Sequence, residues 1–352
     1  MTIHKSALSS MSTSIQPPAT FQRVVLGHGG GGLLTDVLIN QLVLPRLGNP
    51  ALTDLLDSGI LDDGRLALTI DSYVVQPIFF PGGDIGRLAV SGTVNDLAVS
   101  GALPMGLALS MILAEGLPRQ ILERVLDSVA ATAAEAGVRV ITGDTKVVGR
   151  GQADGIYLTT AGVGKMEPSP QPHPARVQPG DVLIINGPIG EHGLAVMLAR
   201  EMPEVQSVLR SDAAPLNGLI GQLRSCVPGV VFMRDPTRGG LAGVATDLAA
   251  RTGYRIILEE MQIPIRPEAR HAADMLGLDP LDIANEGKVL MAVRPAEAQA
   301  ALNLIQSHPL GHQAAIIGHV SAEIDGLCVL RTEIGGQRIV QKPYGEQLPR
   351  IC

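Results

Sequence analysis

Residues 166–181 read MEPSPQPHPARVQPGD, and the five prolines in this stretch divide the chain more firmly than any other feature. Proline lacks a backbone N–H, fixes φ and pushes the residue before it toward extended backbone. Neither a helix nor an interior strand can run through such a segment, so the chain must fold as two parts joined by a crossing. Of 352 residues, 21–166 lie on one side and 167–340 on the other, each enough to enclose a core. Trp is absent and aromatics are 2% of the chain, so aliphatic side chains and alanine must fill both cores. With 45% hydrophobic and 17% charged residues the composition is that of a soluble globular protein. A net charge of −7 excludes a nucleic-acid partner, which needs a basic surface.

Both parts alternate strands with helices. In the first, RLALTIDSYVV (65–75), LPMGLALSMIL (103–113), VRVITGDTKVV and GIYLTTAGVG read as strands. Residues 86–101 suit a helix of small residues lying close on a sheet. PRQILERVLDSVAATAAEAG (118–137) is amphipathic: Pro118 opens it, Ile121, Leu122, Val125 and Val129 form one stripe, and Gly137 closes it. In the second part, strands at VLIING, VVFM, YRIILEE, KVLMAV and AAIIGHV alternate with helices near 191–200, 214–225, 239–252, 268–276 and 295–306. A hairpin turns through Gly335-Gly336. The fold class is therefore α/β (α+β) in two mixed halves, with no sequence repeat.

Residues 1–20, rich in Ser, Thr and Pro, are expected to be a disordered extension. They lack the apolar core of a signal peptide. The longest uncharged run, Leu97 to Ala114, approaches the length of a membrane span, but Pro104 and two glycines make it a buried helix end, a turn and a buried strand. No membrane association is expected. The three cysteines, 226, 328 and 352, show neither metal-ligand spacing nor a disulfide framework, which places the protein in a reducing cytoplasm. Cys226 and Cys328 are expected to pack as small hydrophobes. Cys352 is different. It is the last residue, in PYGEQLPRIC, where two prolines oppose a helix and leave the thiol on a tail. A tail from about residue 341 reaches at most roughly 35–40 Å, enough to carry the thiol between sites.

Several stretches carry chemistry. GHGGGG (27–32) lets backbone N–H groups approach phosphate oxygens, although it has neither a P-loop ending nor a dinucleotide spacing, and a flexible linker reads the same way. Asp71, Asp96, Asp144 and Asp235 each stand where a strand ends or a helix turns, flanked by apolar or small residues. Buried together, such carboxylates resist ionisation unless a cation intervenes, and Mg²⁺ with substrate phosphates is the natural one. Any single Asp is better explained as a cap or turn, and it is the four together, beside a Gly-rich loop, that point to a cation. Lys146 shares a strand face with Asp144 and either neutralises charge in phosphoryl transfer or forms an ordinary surface pair. DPTRGGL places Thr237 and Arg238 at a helix start, a candidate anion site. NEGK projects Glu286 from a loop as a candidate base, with Lys288 or solvent as its alternative partner.

Taken in order, GHGGGG, TIDSYVVQPIFFPGGDIGRLAVSGTVNDLAVSGA, TGDTKVV, RDPTRGGL, NEGK and the terminal PRIC resemble the HypE family of carbamoyl dehydratases from hydrogenase maturation. The similarity runs from Phe21 to Cys352. That family belongs with aminoimidazole-ribonucleotide synthetase, selenophosphate synthetase and thiamine-monophosphate kinase. The resemblance implies a homodimer whose N-terminal domains form a central β-barrel. It implies an ATP-binding and dimerisation domain at 21–166, a C-terminal α/β domain at 167–340 and a mobile tail at 341–352. ATP and Mg²⁺ are the implied cofactors, with HypF as carbamoyltransferase and a HypC–HypD complex receiving cyanide for the iron of [NiFe]-hydrogenase.

Residue by residue, the resemblance makes Cys352 the carrier, Lys146 and Glu286 catalytic, and Asp71, Asp96 and Asp235 metal ligands. His28, Gly29, Gly30, Gly31, Gly32, Asp71, Asp144, Thr237 and Arg238 would bind nucleotide. A selenophosphate synthetase would carry a reactive Cys near the Gly-rich loop, and residues 21–40 contain none. A non-enzymatic scaffold for the tail, or a small-molecule kinase that ignores Cys352, remain the other readings.

Overall fold

The computed structural model describes residues 21–52, 54–61, 64–345 and 350–352. The expected N-terminal extension, Asp63 and Pro349 lie outside them. The Gly-rich loop leads into two short helices, α1 (Leu33–Leu38) and α2 (Leu44–Leu47). A first sheet follows from β1 (Gly59–Leu61) and β2 (Leu66–Tyr73), then, after a hairpin of β3 (Phe79–Phe80) and β4 (Gly83–Asp84), from β5 (Ala102–Ala114), β6 (Val140–Val148) and β7 (Ile156–Met166). Its order is β1-β2-β7-β5-β6, antiparallel except for the parallel β5–β6 pair.

Helices α3 (Ile85–Val99) and α4 (Arg119–Ala136) cover one face of this sheet. Asp84 caps α3, its carboxylate accepting from the N–H groups of Gly86 and Arg87 at 2.8 and 3.0 Å. Every residue of α3 except Arg87 and Asp96 is buried, which explains a sequence apolar or small all round. It lies close on the sheet, for a Cβ at Gly162 of β7 would fall 2.7 Å from the Thr93 methyl. On its other side Asn95 donates to the carbonyls of Ala214 and Glu286 and accepts from Leu216 N–H, so α3 is wedged between the two halves. The run Leu97–Ala114 resolves into the end of α3, a turn and β5. No helix among the described residues is long and apolar enough to cross a membrane.

The second half holds a sheet of β8 (Val182–Ile185), β9 (Val230–Arg234), β10 (Ile256–Glu259), β11 (Leu290–Val293), β12 (Ala315–Val320), β13 (Cys328–Arg331) and β14 (Gln337–Val340). Their order is β14-β13-β10-β12-β8-β11-β9. Helix α7 (Gly240–Thr252) packs on one face, and α6 (Asn217–Cys226) and α9 (Ala298–Ser307) on the other. Helices α5 (Glu191–Glu201) and α8 (Pro267–Leu276) instead join the core of the first half, closing a cluster that also encloses Ile351.

The other face of the first sheet is bare. Leu68, Ile70, Leu103, Ile112, Ile141 and Val147 all stand exposed there or along the edge strand β6, where every residue up to Val147 is exposed.

Candidate active site

A cavity of about 250 Å³ opens where the two halves meet. Strand β2 brings Thr69 and Asp71 to it and the end of α3 brings Asp96. The end of β9 supplies Arg234 and Asp235, and the turn into α7 supplies Thr237 and Arg238. Thus three of the four aspartates singled out in the sequence converge. Asp57 and Asp247 join them without a motif to announce either: Asp57 precedes β1, and Asp247 shares a face of α7 with Gly243 and Val244.

These carboxylates are short of positive charge. Burial raises the Asp96 carboxyl well above its ordinary range, and Asp235, Asp57 and Asp71 push it further, against one hydrogen bond from Thr69 Oγ1 at 2.8 Å. Burial and then Asp57 raise Asp235 to about 7, against the opposing charge of Arg234. Arg234 is already engaged, pairing with Asp57 at 3.2 Å and Asp247 at 3.3 Å. Among the described residues no three acidic, His or Cys side chains come together tightly enough to cage a metal. The donor set instead fits Mg²⁺, which takes one or two carboxylates and draws its remaining ligands from phosphates and water.

The NEGK loop of the second half does not line the cavity, but it brings Glu286 within electrostatic reach of Asp71, Asp235 and Arg238, which do. Glu286 is 3% exposed, and its carboxylate has no hydrogen-bond or ion-pair partner among the described residues. Burial first, then Asp235, Asp71 and Asp212, hold it well above the usual range, with Arg238 opposing. Lys288 is not its partner: its Nζ lies 2.8 Å from Asp212 and 3.7 Å from Glu191. Asp212 also accepts from the N–H of Glu286 at 3.1 Å and so fixes the loop.

The chain terminus docks beside this cluster. Residues 350–352 run antiparallel to 74–76: Val74 N–H donates to Cys352 O at 3.1 Å and Gln76 N–H to Arg350 O at 3.0 Å. Arg350 donates from Nε to Val74 O at 2.9 Å and pairs with Asp154. Ile351 is 3% exposed in the apolar core, and Cys352 packs against the same cluster. Arg238 is held firmly protonated, first by the charge at Cys352, then, against burial, by Asp71 and Glu286. Cys352, Arg238 and Glu286 therefore share one electrostatic neighbourhood.

Of the Gly-rich loop, only Gly31 lines the cavity. Gly32 instead underlies the base of the tail, since a Cβ there would stand 2.2 Å from Pro343 O. Leu33 and Leu34 N–H groups donate to the carbonyls of Pro343 and Tyr344, and Lys342 sits between Asp36 and Asp247 at 2.8 and 2.9 Å. His28 is buried beside the ring of Phe21, with Nε2 lacking a hydrogen-bond partner. Gly29 and Gly30 complete the turn before α1.

Asp144 and Lys146 are elsewhere. They pair at 3.0 Å on exposed β6 and do not line the cavity of their own chain. Cys328 is buried as expected, with its thiol pushed up to about 12. Cys226 corrects the expectation of a packed thiol: it ends α6 facing solvent, with Ser225 Oγ 3.6 Å from its sulfur.

Two α/β halves enclosing an acidic cavity define a member of the AIR synthase related proteins. Residues 55–166 match their N-terminal domain and 178–326 their C-terminal domain. The carbamoyl dehydratase HypE of Rhodobacter capsulatus is 45% identical over 335 residues, covering 94% of this chain and 98% of that protein. Among solved structures, HypE of a HypE–HypF complex superposes with a TM-score of 0.83 at 40% identity, over 87% of this chain and 99% of that one. HypE in complex with ATP gives 0.79 at 42% identity, over 94% and 100%. The chain belongs to the HypE family of carbamoyl dehydratases.

Proposed function

We propose that the protein uses ATP to dehydrate an S-carbamoyl group on its own Cys352 to a thiocyanate, the source of the cyanide ligand for the iron of a [NiFe]-hydrogenase. The observation that carries this reading is the docked terminus: Cys352 lies in the electrostatic neighbourhood of Arg238, which in turn faces a buried carboxylate, Glu286, without a partner among the described residues.

An amide oxygen is a poor leaving group. In the reaction the carbamoyl oxygen attacks the γ-phosphorus of ATP and ADP departs. The C–O bond then breaks, phosphate leaves with the oxygen, and the nitrogen gives up its protons as C≡N forms. Glu286 takes one proton from that nitrogen and the departing phosphate carries the other, and the raised proton affinity of Glu286 suits a base. Arg238, Thr237 and the backbone at Gly31 bind phosphate oxygens. Mg²⁺ held by Asp71, Asp96 or Asp235 would neutralise phosphate charge. Lys146, with Asp144, supplies a further cation to the transferred phosphoryl.

Because Asp144 and Lys146 stand on an unpaired edge, we assign them to the cavity of a second copy. The bare apolar face of the first sheet supports a homodimer in which two such sheets close a barrel, since an edge strand this apolar demands a partner. In this reading 21–166 is the nucleotide-binding and dimerisation domain, 167–340 the C-terminal domain, and 341–352 a tail that leaves its dock for HypF and then for a HypC–HypD complex. The cytoplasm is the compartment that fits a reduced carrier thiol.

Mass spectrometry of the C-terminal peptide tests the reading. A carbamoyl adduct on Cys352 should lose one water when ATP and Mg²⁺ are added, and Cys352→Ser should form neither adduct nor thiocyanate. A stable adduct after ATP is consumed would sink the proposal.

A further inference from the structure

We propose that His192 sets the register in which the tail docks: it donates from Nε2 to the Ile351 carbonyl and thereby fixes where the Cys352 sulfur stands. As regards the reaction, this rests on the function proposed above; as regards docking, it does not. His192 is fully buried on α5, with Nε2 2.7 Å from Ile351 O and Nδ1 2.8 Å from Ser211 Oγ. A carbonyl can only accept, so Nε2 carries the proton. Nδ1 then accepts from the Ser211 hydroxyl, whose oxygen is occupied by Ala213 N–H at 3.1 Å. Ser211 is itself fixed by its N–H bond to Pro81 O at 2.8 Å, and the Phe80 ring meets the imidazole edge-on at 5.5 Å. Most of the imidazole's surroundings are therefore protein segments other than the tail.

The other main-chain bonds of the tail form a short ladder with residues 74–76. A ladder alone tolerates a slip of two residues, which keeps every side chain on its face but moves the sulfur by roughly 7 Å. Placement errors of about 1 Å can cost on the order of 100-fold in rate. The Ile351 pocket and the His192 bond remove that degeneracy: a tail withdrawn by two residues has no carbonyl left for the imidazole N–H, and one advanced by two loses Ile351 from its apolar pocket. His192 touches no reacting atom and is a positioning residue.

The three cysteines give a readout in the full-length protein. Cys226 is exposed and reports reagent, Cys328 is buried and reports folding, and Cys352 reports the dock. Under iodoacetamide, site-resolved by mass spectrometry, His192→Ala should label Cys352 about tenfold faster, the loss expected for one buried hydrogen bond. Cys226 and Cys328 should not change, and His192→Gln, which keeps a donor, should restore most of the protection. In carbamoylated protein, His192→Ala should slow single-turnover dehydration at least tenfold at an unchanged KM for ATP. Unchanged Cys352 labelling, or Cys328 exposed alongside it in both variants, would overturn the proposal. Should labelling respond while wild-type protein dehydrates nothing, the dock stands and the proposed reaction falls.

Discussion

Asp235 and Asp144 are carboxylates of the same type on strands of similar grammar, and the structure treats them oppositely. Asp235 ends β9 inside the cavity, where burial and Asp57 raise it to about 7. Asp144 stands in the open on β6, where Lys146 lowers it. The first carries an electrostatic cost that a proton or a bound cation relieves, and the second carries none. A cleft that strains its own carboxylates is built to receive cations with phosphates. The exposed pair of Asp144 and Lys146 belongs to the proposed second-copy contact and not to the cavity of its own chain.

The largest expected effect lies on the buried side. Glu286→Gln keeps shape and removes a base, so dehydration of carbamoylated protein should fall by roughly 10²–10⁴-fold. The melting shift produced by ATP should survive. Loss of that shift would make Glu286 a binding group and not a base.

Asp96→Ala and Asp235→Ala come next. Ligand at 100 times its dissociation constant stabilises by about 2.7 kcal/mol, a rise of roughly 5 °C for a chain of this size. Both variants should lose the rise given by ATP with Mg²⁺ in differential scanning fluorimetry. An intact shift in both would remove these residues from the site and collapse the contrast with Asp144.

Lys146→Ala should change stability by less than about 0.5 kcal/mol, since exposed pairs contribute little. Dehydration should nevertheless fall about 100-fold if the strand completes a second copy's cavity. Mixing the Lys146→Ala and Glu286→Gln proteins would then recover turnover in heterodimers, each variant supplying what the other lacks. Failure to recover in a confirmed heterodimer would place Lys146 in its own chain's site.

The contrast also marks what a sequence can disclose. The stripe Ile121, Leu122, Val125 and Val129 and the closing Gly137 are local signals, and α4 ends there with Gly137 at φ +69°. The proline crossing likewise separates the two sheets. Asp57, Arg234 and Asp247 reach one cavity from elements far apart, and no spacing announces that. Lys288 stands two residues from Glu286 yet bonds Asp212, because a tight loop points neighbouring side chains apart. That Leu68, Ile70 and Ile141 stand exposed is not legible, because alternation separates the two faces of a strand without saying which is packed. Cys226 closes an apolar helix but faces out, for helix ends turn with a residue's phase and not with the helix's average.

The smallest effect is the sharpest test of the opening contrast, because the two aspartates should tilt stability in opposite directions with pH. Asp235 is raised in the fold to about 7 from an ordinary value near ~3.9 in the unfolded chain. Between these values the folded state holds a proton that the unfolded state has released, so stability falls as pH rises. Its contribution is complete below the unfolded value and gone above about 7. Asp144 is lowered, so its contribution is present above the unfolded value and lost as pH falls through the folded one. Full exposure leaves that contribution near zero. In nucleotide-free protein the melting temperature should therefore decline from pH 5 to 7 by an amount that Asp235→Asn removes and Asp144→Asn does not. ATP with Mg²⁺ favours the ionised carboxylates, so the shift it produces should be larger at pH 7.5 than at pH 5.5. Equal slopes in wild type and Asp235→Asn would mean that the cavity carboxylates are neutralised already, and that the two strands differ in exposure alone.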